Sequence, residues 1–127
     1  MKIEAGRTEP GYTDWKPYGE DNGCIQVDVD TSAYNFKNTP VYTTSLGGKS
    51  DHWKTTGASS VYNATKDGFT IYIRRIDCRD NCVPITPDYA NDPKRIWHIN
   101  WIGVEEVEEI AIAKEPEPVG PLGADRE

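Results

Sequence analysis

Side chains that could take part in chemistry cluster at two places in this 127-residue chain. They are carboxylate, amide and ring residues with a nearby glycine: Gly19, Asp21 and Asn22 at the first place, and Asp51, His52 and Trp53 at the second. A carboxylate accepts hydrogen bonds from neighbouring hydroxyls, a glycine lets backbone approach a ligand closely, and an indole offers an apolar face. The second group therefore suits an open surface that binds a polyol.

Each group also has an ordinary structural explanation. Asp21 and Asn22 precede a glycine, and all three residue types favour tight turns because Asp and Asn side chains bond their own backbone. In the second group, the indole of Trp53 alternatively folds back over the core as a lid and leaves His52 in solvent. These alternatives stay open at the level of the sequence.

The chain offers little for catalysis or for metal binding. It has two histidines and three cysteines, with no Ser-His-Asp pattern, no His-Glu-x-x-His motif and no phosphate-binding glycine loop. Cys78 and Cys82 form a possible loop disulfide in an oxidising compartment, whereas Cys24 is predicted to be a buried thiol in or beside a strand. We therefore expect no enzymatic activity, no bound metal and no cofactor.

Acidity is concentrated at the C-terminal end of the chain. Residues 105–127 hold eight of the 21 acidic residues and two of the 14 basic ones, so they carry −6 of the net charge of −7. The nearly neutral body argues against nucleic acid as a partner, because phosphate binding needs a basic field. We predict one domain at residues 1–106 and an acidic, Pro- and Gly-rich tail at residues 107–127 that docks onto neighbouring subunits.

Membrane and targeting signals are absent from the sequence. No apolar run approaches the roughly 20 residues that span a bilayer, so no membrane span is expected. Residues 1–6 contain no apolar stretch typical of a secretion signal. The compartment stays open, with the cell exterior or the surface of a particle favoured.

Apolar and polar residues alternate with period two through most of the body, which is the pattern of half-buried strands. Such strands hide their apolar faces against a second sheet, so the sequence predicts an all-β antiparallel sandwich. A helical turn is expected at residues 87–91, because Pro87 suits a helix start. The predicted strands cover residues 3–7, 24–31, 40–46, 59–64, 69–76 and 95–104.

The last strand carries a strongly patterned run of aromatic and polar residues. Trp97, Ile99 and Trp101 share one face, which we predict to lie in the core or at a seam between subunits. His98 and Asn100 share the opposite face and would then line a polar axis between subunits.

The chain resembles the H-type lectin domain, the small sandwich of snail agglutinins and discoidins, over residues 3–106. The shared motifs are an opening apolar-x-x-Gly at residues 3–6, a Pro-Val strand start at residues 40–41, Asn-x-Thr-x-x-Gly-Phe at residues 63–69, and Ile-Asn-Trp-Ile-Gly-Val-Glu at residues 99–105. The resemblance implies a six-stranded antiparallel β-sandwich that assembles as a homotrimer.

The resemblance also implies a sugar site in a cleft between subunits, for galactose or N-acetylgalactosamine. Residues 19–22 fit the family's Gly-x-Asp-Asn loop, whereas Ser59-Ser60 and Ile76-Asp77 stand where the family has an Arg and a Trp-His pair. We therefore expect a non-catalytic carbohydrate-binding module that acts as a trimer. The alternative is a structural or assembly subunit of a larger complex, virion or fibre, which keeps the scaffold and has lost sugar binding.

Overall fold

A computed structural model describes residues 1–19, 23–76 and 84–106. This part of the chain is an all-β fold, with one short helix, α1 (Pro87–Asn91), and two 3₁₀ turns at Ser32–Tyr34 and His52–Lys54. Its strands are β1 (Lys2–Arg7), β2 (Lys16–Pro17), β3 (Cys24–Asp30), β4 (Val41–Gly47), β5 (Thr55–Thr56), β6 (Tyr62–Thr65), β7 (Gly68–Arg75) and β8 (His98–Glu105).

The strands form two antiparallel sheets, as the period-two pattern predicts. In the first sheet, β8 lies between β1 and β4, so that the last described strand is the central one. In the second sheet, β3 and β7 pair along their whole length, from Cys24 opposite Arg74 to Asp30 opposite Gly68. β2 extends this sheet beside β3, while β5 and β6 both pair with β7.

The inward faces of the two sheets share one hydrophobic core, which gives the fold its sandwich-like character. From the second sheet come alternate residues of β3 and β7, such as Val27 and Ile71, which pair directly. The first sheet contributes Ile99 and Trp101 of β8, together with Trp97, which directly precedes that strand. Each is at most 4% exposed. The predicted apolar face of the last strand therefore lies in the core of the chain itself. Each such side chain contributes about 1.5–3 kcal/mol through burial.

The six predicted strands are present, and the structure adds two more in the described ranges. β2 and β5 have two residues each, too few to show an alternating pattern in the sequence. Both extend the second sheet at its margins, where they pair with β3 and β7. The predicted helical turn is confirmed as α1, whose first turn is capped by the side chain of Thr86, which accepts a hydrogen bond from the Tyr89 amide at 3.0 Å.

The last strand begins three residues later than predicted. Ile96 has a φ of 44°, a left-handed conformation that a β-branched residue seldom adopts and that no strand accommodates. The amide of Trp97 donates to the carbonyl of Ala90 at 2.8 Å, which holds this turn against α1. β8 therefore starts at His98, after the turn.

Three predictions concern residues outside the described ranges or differ from the structure. The Cys78–Cys82 disulfide and the tail at residues 107–127 lie outside the described residues. Cys24 is half-buried rather than buried, because it is the first residue of β3 and faces away from the core. In the ranges that the structure describes, no helix is long and apolar enough to cross a membrane.

Candidate functional site

Three tyrosines form a cluster on the outer face of the second sheet. Alternation along β7 sends Ile71 and Ile73 into the core and turns Tyr72 outward. The ring of Tyr18, just after β2, meets that of Tyr72 edge-on, with centroids 4.7 Å apart. The ring of Tyr62, on β6, meets Tyr72 from the other side at 5.3 Å. Tyr72 is therefore the centre of the cluster, and its two neighbours stand beside it.

The cluster lines a groove of about 490 Å³, which we call the tyrosine groove. Its other walls come from the segment between β5 and β6 and from the start of β3. The remaining lining residues include Cys24, Thr56, Gly57, Ser60 and Arg74. This volume lies within the range of small-molecule sites, and the lining combines apolar ring faces with a few polar groups, as such sites do.

The backbone of Gly57 allows the segment after β5 to lie close to β7. Its φ is +111°, and a Cβ atom at this position would lie 2.3 Å from the carbonyl oxygen of Tyr72. Only glycine accepts both this conformation and this contact. Gly57 therefore fixes the distance between one wall of the groove and the strand that carries its central tyrosine.

Arg74 is the only charged side chain among the described residues that line the tyrosine groove. It is exposed and lies two residues after Tyr72, on the same face of β7. Its cross-strand partners are Cys24 on β3 and Thr56 on β5. The groove thus combines three phenol rings, two hydroxyl side chains and one guanidinium group, which can stack on and hydrogen-bond to a polyol.

A second hollow, of about 290 Å³, lies on the same sheet at the opposite ends of β3 and β7. Asp28, Asp30 and Asp67 line it, so this end of the face is acidic. Hydrogen bonds from Ser32, through its side chain and its amide, lower the pKa of Asp30. The amide bond measures 2.8 Å. The carboxylate of Asp28 accepts a hydrogen bond from the Thr70 hydroxyl at 2.7 Å.

Of the first group of predicted site residues, the structure describes only Gly19. Gly19 directly follows Tyr18, is exposed and has a φ of +74°. Asp21 and Asn22 lie outside the described residues. The predicted loop therefore connects, through Gly19 and Gly23, to two residues that line the groove, Tyr18 and Cys24.

The second group of predicted site residues faces three different surroundings. Asp51 forms ion pairs with Arg95 at 3.5 Å and with Lys54 at 3.4 Å. His52 is half-buried, and its Nδ1 atom is buried without a hydrogen-bond partner in the described structure. Trp53 is 77% exposed, so the prediction that it covers the core as a lid is wrong. The 3₁₀ turn at His52–Lys54 carries both rings and directs consecutive side chains apart.

This second group lies next to the tyrosine groove rather than inside it. His52 lines a separate hollow of about 300 Å³, which shares Thr56 and Gly57 with the tyrosine groove. The loop is held in place by the segment before β8, since the indole nitrogen of Trp97 donates to the carbonyl of Ser50 at 2.8 Å. The two hollows therefore border one another along β5.

On the polar face of the last strand, His98 and Asn100 differ in burial. His98 is 8% exposed, and its Nδ1 atom lies 3.0 Å from the carbonyl oxygen of Ile96. A Cβ atom at Gly47 would lie 2.5 Å from the Nε2 atom of His98, so the ring is packed closely on β4. The imidazole is enclosed by its own chain, whereas Asn100 is half-buried.

Sequence reasoning missed Tyr18, Tyr72 and Arg74 as site residues. The alternation of β7 is a signal that Tyr72 and Arg74 share an outward face, and it could have identified that pair. Tyr18 had no such signal, because its position depends on the pairing of β2 with β3. In residues 1–19, 23–76 and 84–106, no three His, Cys, Asp or Glu side chains are arranged to hold a metal ion.

Comparison of the chain with protein-family models, curated proteins and solved structures gave no match. The resemblance to the H-type lectin domain therefore rests on the sequence motifs themselves and stays a prediction.

Proposed function

We propose that this chain is a non-catalytic carbohydrate-binding module of the H-type lectin kind, which binds a glycan in the tyrosine groove. The observation that carries the proposal is the Tyr18–Tyr72–Tyr62 cluster beside Gly19. Sugar rings present C–H faces that pack on aromatic rings and hydroxyls that bond to polar groups at the rim. The groove provides both kinds of contact in one place.

The lining residues are suited to binding rather than to bond cleavage. Among the described residues of the groove there is no carboxylate or imidazole beside a hydroxyl or thiol, an arrangement that acid–base or nucleophilic catalysis needs. The resemblance favours galactose or N-acetylgalactosamine as the first ligands to test. This chain lacks the family's Arg and Trp-His pair, and under this proposal the aromatic rings and Arg74 of the groove supply the stacking and the charged contact.

The proposal is tested by titrating galactose and N-acetylgalactosamine into the protein, with calorimetry and amide chemical shifts as readouts. The decisive variant is Tyr62→Ala, because this ring is 52% exposed and contributes little to the core. We expect a loss of about tenfold in affinity, equivalent to about 1.4 kcal/mol, while Tyr62→Phe retains most of the binding.

Tyr12→Ala is the matched control, since Tyr12 is 83% exposed and does not line the groove. It should bind sugars as the unchanged protein does. Absence of any response to simple sugars at millimolar concentration would contradict the proposal, and so would equal losses in the Tyr12 and Tyr62 variants.

We further propose that the chain acts as a homotrimer and that its copies meet through the outer face of the first sheet. This face carries apolar side chains in register on adjacent strands, with Ile3 and Val41 both paired to Val104. Ile3, Val41 and Ile102 are 58%, 53% and 47% exposed. A sheet face exposed to water normally carries polar side chains. Exposed apolar side chains on three adjacent strands therefore favour a partner that covers this face.

The same surface supports the second candidate function, a structural or assembly subunit of a larger complex. Under that function, self-association persists while the tyrosine groove binds no sugar, and the acidic tail contacts neighbouring subunits. The two functions are separated by the sugar titration together with the mass in solution: a trimer that ignores all sugars favours assembly.

A further inference from the structure

The charge on the outer face of the second sheet is divided between its two ends. Cys24 pairs with Arg74 at one end, and Asp30 pairs with Gly68 at the other. The acidic hollow with Asp28 lies beyond Thr70, four residues from Arg74 along β7, which corresponds to about 13 Å at the rise of a strand. A ligand along this strand therefore meets a cation at one end and carboxylates at the other.

The guanidinium group of Arg74 is not engaged by any side chain in the part of the chain that the structure describes. It makes no ion pair and no side-chain hydrogen bond with another described residue. By contrast, Arg95 is engaged by Asp51 and Asp92 and stacks on Tyr89, 3.5 Å from the ring centroid. Arg74 is thus an exposed cation beside an aromatic groove, in a chain whose net charge is −7.

We infer that the tyrosine groove selects anionic saccharides, in which a carboxylate or sulfate group on the sugar pairs with Arg74 while the ring packs against the tyrosines. This inference rests on the proposed function and adds the chemical class of the glycan. A guanidinium fork matches the two oxygens of a carboxylate or sulfate and gives two parallel hydrogen bonds. The anionic group then lies at the Arg74 end of the groove, away from the acidic hollow.

The sharpest test compares two sugars that differ at a single carbon. Galacturonate carries a carboxylate where galactose carries a hydroxymethyl group, so any difference in affinity reports on the charge. At low ionic strength we expect galacturonate to bind about fivefold more tightly than galactose, with a difference that shrinks as salt is added.

Two variants place this charge effect at Arg74. Arg74→Gln should abolish the preference, so that galacturonate and galactose bind this variant equally, whereas Arg74→Lys should keep part of the preference because it keeps the charge but not the fork. Arg7→Gln is the control, since Arg7 is also exposed but lies on the first sheet. It should keep the full preference.

The outcomes separate this inference from the proposed function. Equal binding of the two sugars, or a preference that survives Arg74→Gln, overturns the inference and leaves sugar binding in place. If neither sugar binds, both ideas fail. Sodium acetate serves as a last arm: if it binds as tightly as galacturonate without shifting the amide signals of Tyr62 and Tyr72, the site is a simple anion site and the inference fails.

Discussion

The indole nitrogen of Trp15 donates a hydrogen bond to the main-chain carbonyl of Trp97 at 3.1 Å, although the two residues are 82 positions apart. Trp15 is 4% exposed, and β2 follows it directly. The bond therefore anchors the segment that delivers Tyr18 to the tyrosine groove. A hydrogen bond of the core residue Trp15 thus positions Tyr18, which forms one wall of the tyrosine groove on the surface.

Replacing Trp15 with Phe removes this hydrogen bond and leaves unfilled space in the core. We expect the free energy of unfolding to fall by about 1–3 kcal/mol, because a buried carbonyl loses its partner and a large side chain shrinks. Urea denaturation measures the change. Trp53→Phe is the control, since Trp53 is 77% exposed and should change stability by less than about 0.5 kcal/mol. Similar effects of the two substitutions would contradict the role given to Trp15.

The Tyr42 hydroxyl should make the stability depend on alkaline pH. Burial raises the pKa of Tyr42 above its ordinary 10.0, Asp67 adds to the increase, and the hydrogen bond with Thr31 opposes it. The folded chain then holds this proton more tightly than the unfolded chain does. The contribution is complete below pH 10.0 and is lost as the pH rises through the raised pKa.

Tyr42→Phe should remove this part of the pH dependence, which is measured as the difference between the two proteins in urea denaturation across the alkaline range. At neutral pH the variant should be less stable by about 1–3 kcal/mol, because the buried hydroxyl of Thr31 and the carbonyl of Thr65 each lose a partner. These bonds measure 2.7 Å and 2.8 Å. A constant difference at every pH would contradict the assignment to Tyr42.

Gly57→Ala should be strongly destabilising. Its new Cβ atom would collide with the carbonyl oxygen of Tyr72, and the residue would have to keep a φ of +111°. We expect a loss of about 3 kcal/mol or more in the free energy of unfolding. Gly23→Ala is the matched control, because nothing lies within 4 Å of its Cβ position. Equal stability of the two variants in thermal denaturation would show that the close approach at Gly57 is not needed.

If the proposed trimer forms, Ile102→Lys should reduce the mass in solution from trimer to monomer. The substitution places a charge in the middle of the apolar face, where Ile102 pairs with Ala5 and Thr43. Light scattering during gel filtration measures the mass, and circular dichroism verifies that the sheets remain. Tyr12→Lys introduces the same charge elsewhere and should leave the mass unchanged.

Deletion of residues 107–127 tests the proposal that the acidic tail docks onto neighbouring subunits. If the truncated protein keeps both its oligomeric state and its binding to partner proteins, the proposed role of the tail in assembly is contradicted.

Cys24 offers a chemical probe of the tyrosine groove. It is half-buried and lines the groove opposite Arg74. Bound sugar should slow its alkylation, as measured by mass spectrometry of the peptide that contains residue 24. Sucrose at the same concentration, if it does not bind, controls for crowding. Equal alkylation rates with and without a saturating sugar would place the ligand elsewhere.

Most of the strands, and the face that each one buries, could be predicted from the sequence, because period-two alternation indicates directly which face is buried. The inward set of β7, Ile71 and Ile73, and that of β8, Ile99 and Trp101, both follow from it. The start of β8 did not follow, since a β-branched residue at position 96 normally favours a strand and here adopts a left-handed turn. Tertiary contacts with α1 overrode the local preference.

The groove was harder to predict than the sheets. Tyr18 and Tyr62 lie 44 positions apart, and both contact Tyr72 only because β2, β3, β7 and β6 stand side by side. Sequence reasoning singled out Gly19, which follows Tyr18 in the chain but does not line the groove. It placed weight on Trp53 because of residue type alone, and type does not reveal that a 3₁₀ turn directs this side chain into solvent.

The pairing of β1 with β8 determines when the first sheet can form during synthesis of the chain. Lys2 lies opposite Glu105, so the central strand of the first sheet is synthesised almost at the end of the body. Until residue 105 has left the ribosome, β8 cannot pair fully with β1 and β4, and the apolar side chains of these two strands stay uncovered. Such distant pairing makes folding slow, on the order of milliseconds to seconds, and the first sheet cannot be completed before residue 105 is synthesised.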